Sequence, residues 1–330
     1  MTAFDSENPS KSQLREQARQ AVNTIFDRGL FGASDIAPAG TLRGVEVLDR
    51  GVIFQKLARS HIISWGKYQR RIDILKPRTF FEKINITKFF APVPMPSPAD
   101  KLAVGHTIPP GLEDRIKAVP VYWKTPVAMS PEQLLDANLP KGTYFAKSNC
   151  SAQNNLRITL PFGDAAAAEK LAALMPQWLE RGHGIRAGEW WYRLIRPQVF
   201  IEKDLSIDDQ PPMDWKFHCA NGRMVVCQID IGRGRNHFQE IYDRDFNYLP
   251  HALFFKTSRT LAKPANYGFM VEAAEAISKP YEYARIDFYN HQGQLYLGEV
   301  TLAPFGGQRM PLSPELDRYI GNSWQSGSLF

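Results

Sequence analysis

Two strand-like runs near the C-terminus constrain the fold most. YARIDFYN (residues 283–290) and QLYLGEVTL (294–302) flank a tight turn, His291-Gln292-Gly293-Gln294. Antiparallel pairing centred on Gly293 predicts Tyr289 opposite Leu297, Asp287 opposite Glu299 and Arg285 opposite Thr301. Side chains alternate between faces, so Arg285, Asp287, Glu299 and Thr301 share one face. Ile286, Phe288, Tyr296 and Val300 then form a core face. Two carboxylates paired across strands lie roughly 5 Å apart and destabilise the sheet. Their repulsion is on the order of 3 kcal/mol at an effective dielectric of ~20. A divalent cation reverses its sign, and Mg²⁺ habitually takes one or two carboxylates plus substrate phosphates. Arg285, one pleat away, is placed to neutralise charge on a transferring phosphoryl or acyl-phosphate group. A solvated network in which Arg285 bridges both acids fits the spacing equally well.

Upstream the pattern is also of strands joined by turns. TYFAK and PQVFIEK read as strands, with the helix AAAAEKLAALMPQWLE between them. DWKFHC and MVVCQIDI flank Ala220-Asn221-Gly222-Arg223, where Asn-Gly is a strong hairpin signal. The helix MVEAAEAIS follows. Strands mixed with segregated helices predict an α+β fold with largely antiparallel sheets.

Residues 1–75 read as a partly helical extension. KSQLREQARQAVNTIFDR (residues 11–28) carries Leu14, Ala18, Ala21, Val22 and Ile25 on one helical face. FFEKINITKFF is a further helical pattern; the prolines of APVPMPSPAD (91–100) predict a loop or linker. SPEQLLDANLP reads as a short helix capped by Ser130. Residues 76–140 are expected to precede the main domain, 141–330, which has a hinge near 202–210.

Hydrophobic residues make up 44% and charged residues 22%, which excludes a disordered chain. The net charge of +6 suits an anionic partner, although solubility alone accounts for it too. Without a dense basic block or recognition motif, nucleic acid is not the expected partner. No run is long and apolar enough to span a membrane. The opening MTAFDSENPSKSQ lacks a signal-peptide pattern, and Cys150, Cys219 and Cys227 lack metal-ligand or redox spacing. Cytoplasmic residence is therefore expected. A Gly-x-Ser-x-Gly elbow, a P-loop and a dinucleotide-binding glycine signature are all absent from the sequence.

The final hairpin, Arg285-Ile286-Asp287-Phe288 with Tyr296-Leu297-Gly298-Glu299-Val300-Thr301-Leu302-Ala303-Pro304 and Gly306-Gly307, resembles that of ATP-grasp enzymes. D-alanine–D-alanine ligases have a similar order of residues. A closer resemblance is to the TupA-like (teichuronopeptide biosynthesis) ATP-grasp family. It extends in order through Thr79-Phe80-Phe81-Glu82-Lys83-Ile84-Asn85, Asp100-Lys101, the strand Tyr144–Asn149, Arg196–Glu202 and Asp214–Cys219.

The resemblance implies two α+β subdomains gripping ATP. Lys147 and Ser148 are then expected at the phosphates, and Lys216 as a second, catalytic phosphate contact sharing its face with Asp214 and His218. Glu202, Lys203 and Leu205 would form the adenine hinge, and Asp208 or Asp209 would take the ribose. Asp287, Glu299 and Thr301 are the implied Mg²⁺ ligands, with Arg285 as the transition-state cation. Gly306 and Gly307 would admit an anion or simply form a turn, and Arg233 and Arg235 would hold an oxyanion or lie in solvent. Two departures stand out. The loop Ser148–Asn155 is not glycine-rich, and Thr301 stands where Asn is common in the superfamily. The implied activity joins a small-molecule carboxylate to an amine, sugar-linked substrates included, with ATP and Mg²⁺, in cell-surface polysaccharide synthesis. A kinase on the same fold and a non-catalytic nucleotide-binding module are the alternatives.

Overall fold

A computed structural model describes residues 8–34, 36–152, 154–207, 210, 212–231, 237–258 and 260–324. Ser10 opens helix α1 (Lys11–Asp27): its hydroxyl accepts from Gln13 N, and the Gln13 side chain accepts from Ser10 N. This reciprocal cap satisfies donors that a helix start otherwise leaves open. Leu14, Ala18, Ala21, Val22 and Ile25 form its buried face. A short turn α2 (Gly44–Val47) leads to α3 (Arg50–Tyr68), which packs against α1. Within the proline-rich stretch, strand β2 (Val93–Pro94) pairs with β1 (Thr41–Leu42). Ser97 and Ala99 are buried, so this segment packs onto the body and does not act as a free linker.

Helix α4 (Phe80–Phe90) lies at the centre, and all of its residues are buried. Its aromatic residues Phe81, Phe89 and Phe90 are core, each stabilising by roughly 1.5–3 kcal/mol. Its polar residues are buried as well, so each must find a partner. Glu82 accepts from the backbone N–H groups of Asp73, Arg78 and Thr79. Lys83 Nζ donates to the carbonyls of Gly321 and Trp324, at the end of α8 (Pro314–Ser323). Asn85 Nδ2 donates to Gly307 O at 3.0 Å, while its Oδ1 accepts from Ser60 of α3. Lys88 Nζ donates to Ala187 O and Gly306 O, both at 2.9 Å. Gly321 has no side chain because a Cβ there would collide with the backbone of Arg78 and Thr79.

Two sheets carry the rest. Strands β3 (Ile116–Ala118), β8 (Asp214–Ala220), β9 (Arg223–Ile231), β10 (Phe238–Tyr242), β11 (Tyr283–His291) and β12 (Gln294–Thr301) form one, ordered β10-β9-β8-β11-β12-β3. The other is ordered β4-β7-β5-β6, from β4 (Val121–Thr125), β5 (Gly142–Ser148), β6 (Asn155–Leu160) and β7 (Val199–Lys203). Neighbouring strands are antiparallel except for β12 and β3. Residues 116–125 thus give an edge strand to each sheet. Helix α7 (Tyr267–Ser278) covers one face of the six-stranded sheet, where Phe217 meets Tyr267 and Phe288 with ring centroids 5.9 and 5.8 Å apart. Helices α5 (Pro131–Asp136) and α6 (Ala165–Trp178) share a separate apolar core with the four-stranded sheet, through Leu134, Leu171, Val199 and Ile201. The fold is α+β with largely antiparallel sheets, as expected.

The final hairpin needs a correction. Its turn is the two-residue Gln292-Gly293, both at positive φ, so His291 faces Gln294 and Tyr289 faces Tyr296, not Leu297. A bulge at Gly298 then adds one residue to β12 and restores the expected pairs Asp287–Glu299 and Arg285–Thr301. Tyr296 consequently leaves the core face, and Leu295, Leu297 and Val300 occupy it. The bulge is glycine because the Tyr289 ring lies over it: a Cβ at Gly298 would sit 2.9 Å from Tyr289 Cε2.

Asn85→Ala is expected to cost about 2–3 kcal/mol in urea melts, because it strips partners from Gly307 O and Ser60 in a buried site. A change below about 0.5 kcal/mol would show that α4 does not hold the 304–307 loop by this bond.

Candidate active site

The two sheets face each other across a cavity of about 190 Å³. Phe145 and Lys147 of β5, and Glu202, Lys203 and Leu205 at the end of β7, line one side, and Tyr289 of β11 closes the other. Strand β5 pairs with β7 so that Phe145 lies opposite Glu202 and Lys147 opposite Phe200. Lys147 Nζ forms an ion pair with Glu202, whose side chain is nearly buried. His291 Nδ1 lies 3.1 Å from Leu205 O, which ties the hinge strand to the facing hairpin. Four residues expected around a nucleotide thus line a single cavity.

The facing sheet presents a charged stripe. Lys216 lies opposite Asp287 across β8 and β11, and Asp287 opposite Glu299 across β11 and β12. Arg285 grips Asp287 with two bonds, Nε–Oδ1 at 2.7 Å and Nη2–Oδ2 at 2.6 Å, and donates to Thr301 Oγ1 at 3.0 Å. Lys216 Nζ contacts Asp214, and lies 3.4 Å from Asp287 and 3.6 Å from Asp230. Such a bidentate pair is the strong form of the Arg–carboxylate contact. Burial nevertheless pushes the Asp287 carboxyl up, against the pull of Arg285 and Lys216. For Glu299 burial also pushes upward, but Lys101, Arg285 and Lys216 together hold it below the usual range.

Among the described residues no group of three His, Cys, Asp or Glu side chains could hold a metal ion by itself. The cross-strand pair Asp287 and Glu299 would by its chemistry suit a cation that completes its shell with phosphate and water oxygens, as Mg²⁺ does. Thr301 Oγ1 is already an acceptor for Arg285.

The sequence reading missed the far side of Glu299. Lys101 Nζ lies 3.9 Å from Glu299 Oε1 and donates to Ser151 O at 2.6 Å, linking the loop after Lys147 to the carboxylates. Asp100 Oδ1 holds Asn149 Nδ2 at 2.9 Å, which anchors the same loop from below. His183 packs edge-on to Tyr192 with centroids 4.7 Å apart. Buried Glu189, raised to about 7 by burial, also feels Lys88 and Glu299. The Asp-Lys pair was visible in sequence only as a motif. Glu189 and Tyr192 carried no local signal, because the α4 contacts of residues 187–190 bring them here.

Ser148 is not brought to the cavity: it is fully buried, and its hydroxyl donates to Trp178 O at 2.9 Å. Gly306 and Gly307 are buried at positive φ and pack against Ala187, Glu189, Ile84 and Lys88, so close approach within the protein accounts for both. Asp208, Asp209, Arg233, Arg235 and Gln153 lie outside the described residues.

Residues 173–325 match the family model described as TupA-like ATPgrasp. The matched stretch contains Glu202, Lys203, Leu205, Lys216, Arg285, Asp287, Glu299 and Thr301, while Lys147 and α4 precede it. Among solved structures, the chain is similar to the ATP-grasp ligase PsnB complexed with minimal precursor, at 11% identity and a TM-score of 0.34, covering 63% of this chain and 53% of that one. It is also similar to D-alanine–D-alanine ligase from Bacillus anthracis, at 15% identity and a TM-score of 0.39, covering 67% of this chain and 64% of that one. The chain therefore spans between about half and just under two thirds of the length of these structures. No curated protein matches it. No helix among the described residues is long and apolar enough to cross a membrane.

His218, fully buried, lies on the same strand face as Asp214 and Lys216, opposite Arg285. Gln228 Nε2 donates to Asp230, so Gln228 Oε1 is the acceptor for His218 Nε2 at 3.0 Å, and Nδ1 accepts from the Tyr283 hydroxyl at 2.8 Å. The ring is thus neutral; burial, then the Arg285 charge, lower its pKa to about 3. A depressed folded-state value gives stability that is full above the unfolded pKa of about 6.5 and is lost as pH falls toward 3. His218→Gln is expected to flatten the fall in stability between pH 7 and pH 5 by about 2 kcal/mol in urea melts. Equal slopes for variant and wild type would mean that His218 is not held neutral.

Proposed function

We propose that this chain is an ATP- and Mg²⁺-dependent carboxylate–amine ligase. The observation that carries the reading is the meeting of two residue sets across one cleft. Lys147, Glu202, Lys203 and Leu205 line the cavity on one sheet, while Lys216, Arg285, Asp287 and Glu299 form the stripe on the other. In this reading the nucleotide base lies against Leu205 and Tyr289. Lys147 exchanges Glu202 for the α- and β-phosphates as a point charge. Asp287 and Glu299 would hold Mg²⁺, which would supply positive charge to neutralise the phosphate oxygens.

The reaction balances in two steps. A carboxylate oxygen of the acid attacks the γ-phosphorus, the bridging bond to the β-phosphate breaks, and ADP leaves. The amine nitrogen then attacks the acyl carbon, the bond to phosphate breaks, and inorganic phosphate departs. The amine proton is taken up by Glu189, which is buried on the Glu299 side of the site. Arg285 and Lys216 neutralise charge on the transferring group. Catalysis is then mostly positioning and charge neutralisation. The substrate pair we propose is an amino acid and a sugar acid, in the synthesis of a cell-surface polysaccharide made from the cytoplasmic side. The family resemblance is the support for that pair.

Wild type is expected to gain about 2.7 kcal/mol at an ATP concentration of ~100 Kd, seen as a thermal shift of a few degrees that requires Mg²⁺. Glu299→Gln is expected to keep the fold, to lose the Mg²⁺-dependent part of the shift, and to cut turnover at least a hundredfold. Full turnover in Glu299→Gln would sink the metal assignment. Hydroxylamine in place of the amine is expected to trap acyl phosphate as a hydroxamate, in step with ADP release, when a panel of sugar acids and amino acids is screened. ADP release without hydroxamate, dependent on a hydroxyl substrate, would instead point to a kinase. No ATP shift in wild type would leave a non-catalytic module.

A further inference from the structure

The net positive charge is concentrated in part on the N-terminal helices, which the catalytic reading does not use. Helices α1 and α3 run antiparallel. Arg50 at the start of α3 reaches Asn23 Oδ1 at 2.9 Å and Asp27 Oδ1 at 3.2 Å near the end of α1, and Arg19 lies over the Phe54 ring at 5.3 Å. Beside their contact runs an open groove of about 800 Å³, far larger than the cavity between the sheets. Its walls carry five basic side chains, Lys11, Arg15, Arg19, Lys56 and Arg59, and a single acid, Glu16. Glu16 lies 3.8 Å from Arg19, which leaves the other four without an acid in the groove.

Lys11, Arg15 and Arg19 stand at successive i, i+4 positions, about 12 Å from end to end. Like charges at that spacing weaken a helix by a few tenths of a kcal/mol per pair. The clustering therefore opposes the stability of α1 and asks for an anionic partner. The charge on Lys56 is itself disfavoured, first by burial and then by Arg59 and Arg193. The groove also has apolar walls, from Phe54, Ile62 and Ile63.

One end of the groove borders the candidate active site. Lys56 Cγ lies 3.4 Å from the position a Cβ would take on Gly188, next to Glu189, and Lys88 feels the Lys56 charge. A ligand lying along Lys11, Arg15 and Arg19 is directed at the loop that carries Glu189 and Tyr192.

We propose that this groove binds an extended polycarboxylate, a polymer of sugar acids, and delivers one of its carboxylates to the cleft. Arg pairs with carboxylates through a planar fork, and the apolar walls match the faces of sugar rings between them. A membrane surface is disfavoured because the basic residues line a concavity. The inference rests on the ligase reading for its choice of a carboxylate polymer, but the binding is measured without ATP.

The test uses the full chain and a fluorescein-labelled polygalacturonate fragment, followed by anisotropy at low and high salt, with a labelled dextran as the neutral control. The expected result is binding to wild type that weakens steeply with salt, with none to dextran. R15E/R59E alters exposed residues away from the cleft. It is expected to weaken polygalacturonate binding at least tenfold while keeping the ATP-dependent thermal shift. K170E/R181E, with the same change in net charge at exposed positions on and just after α6, is expected to bind as wild type does. Absence of binding at low salt, or equal loss in both double variants, overturns the proposal. So does binding of phosphatidylserine vesicles, lost in R15E/R59E, without binding of polygalacturonate. An absent ATP shift in wild type alongside normal polymer binding would count against the ligase reading alone and leave the groove assignment standing.

Discussion

The loop after β12, the segment bearing Glu189 and the C-terminal helix all hang on one helix, α4, whose Lys83, Asn85 and Lys88 side chains are buried against backbone carbonyls. An unpartnered buried carbonyl costs about 1–3 kcal/mol, so a loop with two of them cannot rest against an apolar core. Helix α4 resolves this by carrying long donors inward. Lys83 ends on the carbonyls that close α8, Asn85 on Gly307, and Lys88 on both Ala187 and Gly306. Trp190 Nε1 returns a bond to Lys88 O at 2.6 Å. The same helix therefore fixes the loop following β12, the segment bearing Glu189, and the C-terminal helix relative to one another. Burial drives the Lys88 ammonium down and the Glu189 carboxyl up, so this junction is kept by hydrogen bonds more than by net charge.

Around that junction the charges are distributed so that each acid has a cation within reach. Asp287 is held by Arg285 and approached by Lys216, Glu299 by Lys101, and Glu202 by Lys147. On the proposed reading, a nucleotide with its metal would add both signs of charge to a stripe whose existing pairs can exchange partners.

The hairpin pairing was legible because strand alternation and a Gly-containing turn are local signals. The Asp287–Glu299 pair was read correctly through two shifts that cancel, a tighter turn and a bulge at Gly298. Tyr296 shows where they do not cancel. Lys147, Glu202, Lys203 and Leu205 were legible only through the family resemblance, since no local pattern marks a lysine that ends a strand. Ser148 misled because the loop residue nearest the lysine turns into the core. The helix in FFEKINITKFF was legible and its complete burial was not: Lys83 and Lys88 are buried because they reach carbonyl partners more than ninety residues away, at Gly321, Trp324, Ala187 and Gly306. Glu189 and Tyr192 depend on that same long-range contact.

The central claim is that ATP phosphates lie between Lys147 and Lys216, and labelling the folded chain with an acyl-phosphate derivative of ATP tests it most directly. Such a probe transfers its acyl group to lysines that touch the phosphates, and peptide mass spectrometry locates them. The expected result is acylation of Lys147 and Lys216, suppressed by excess ATP with Mg²⁺, with little change at Lys170 or other exposed lysines. Labelling confined to exposed lysines, or labelling of Lys147 and Lys216 that excess ATP does not suppress, would contradict it.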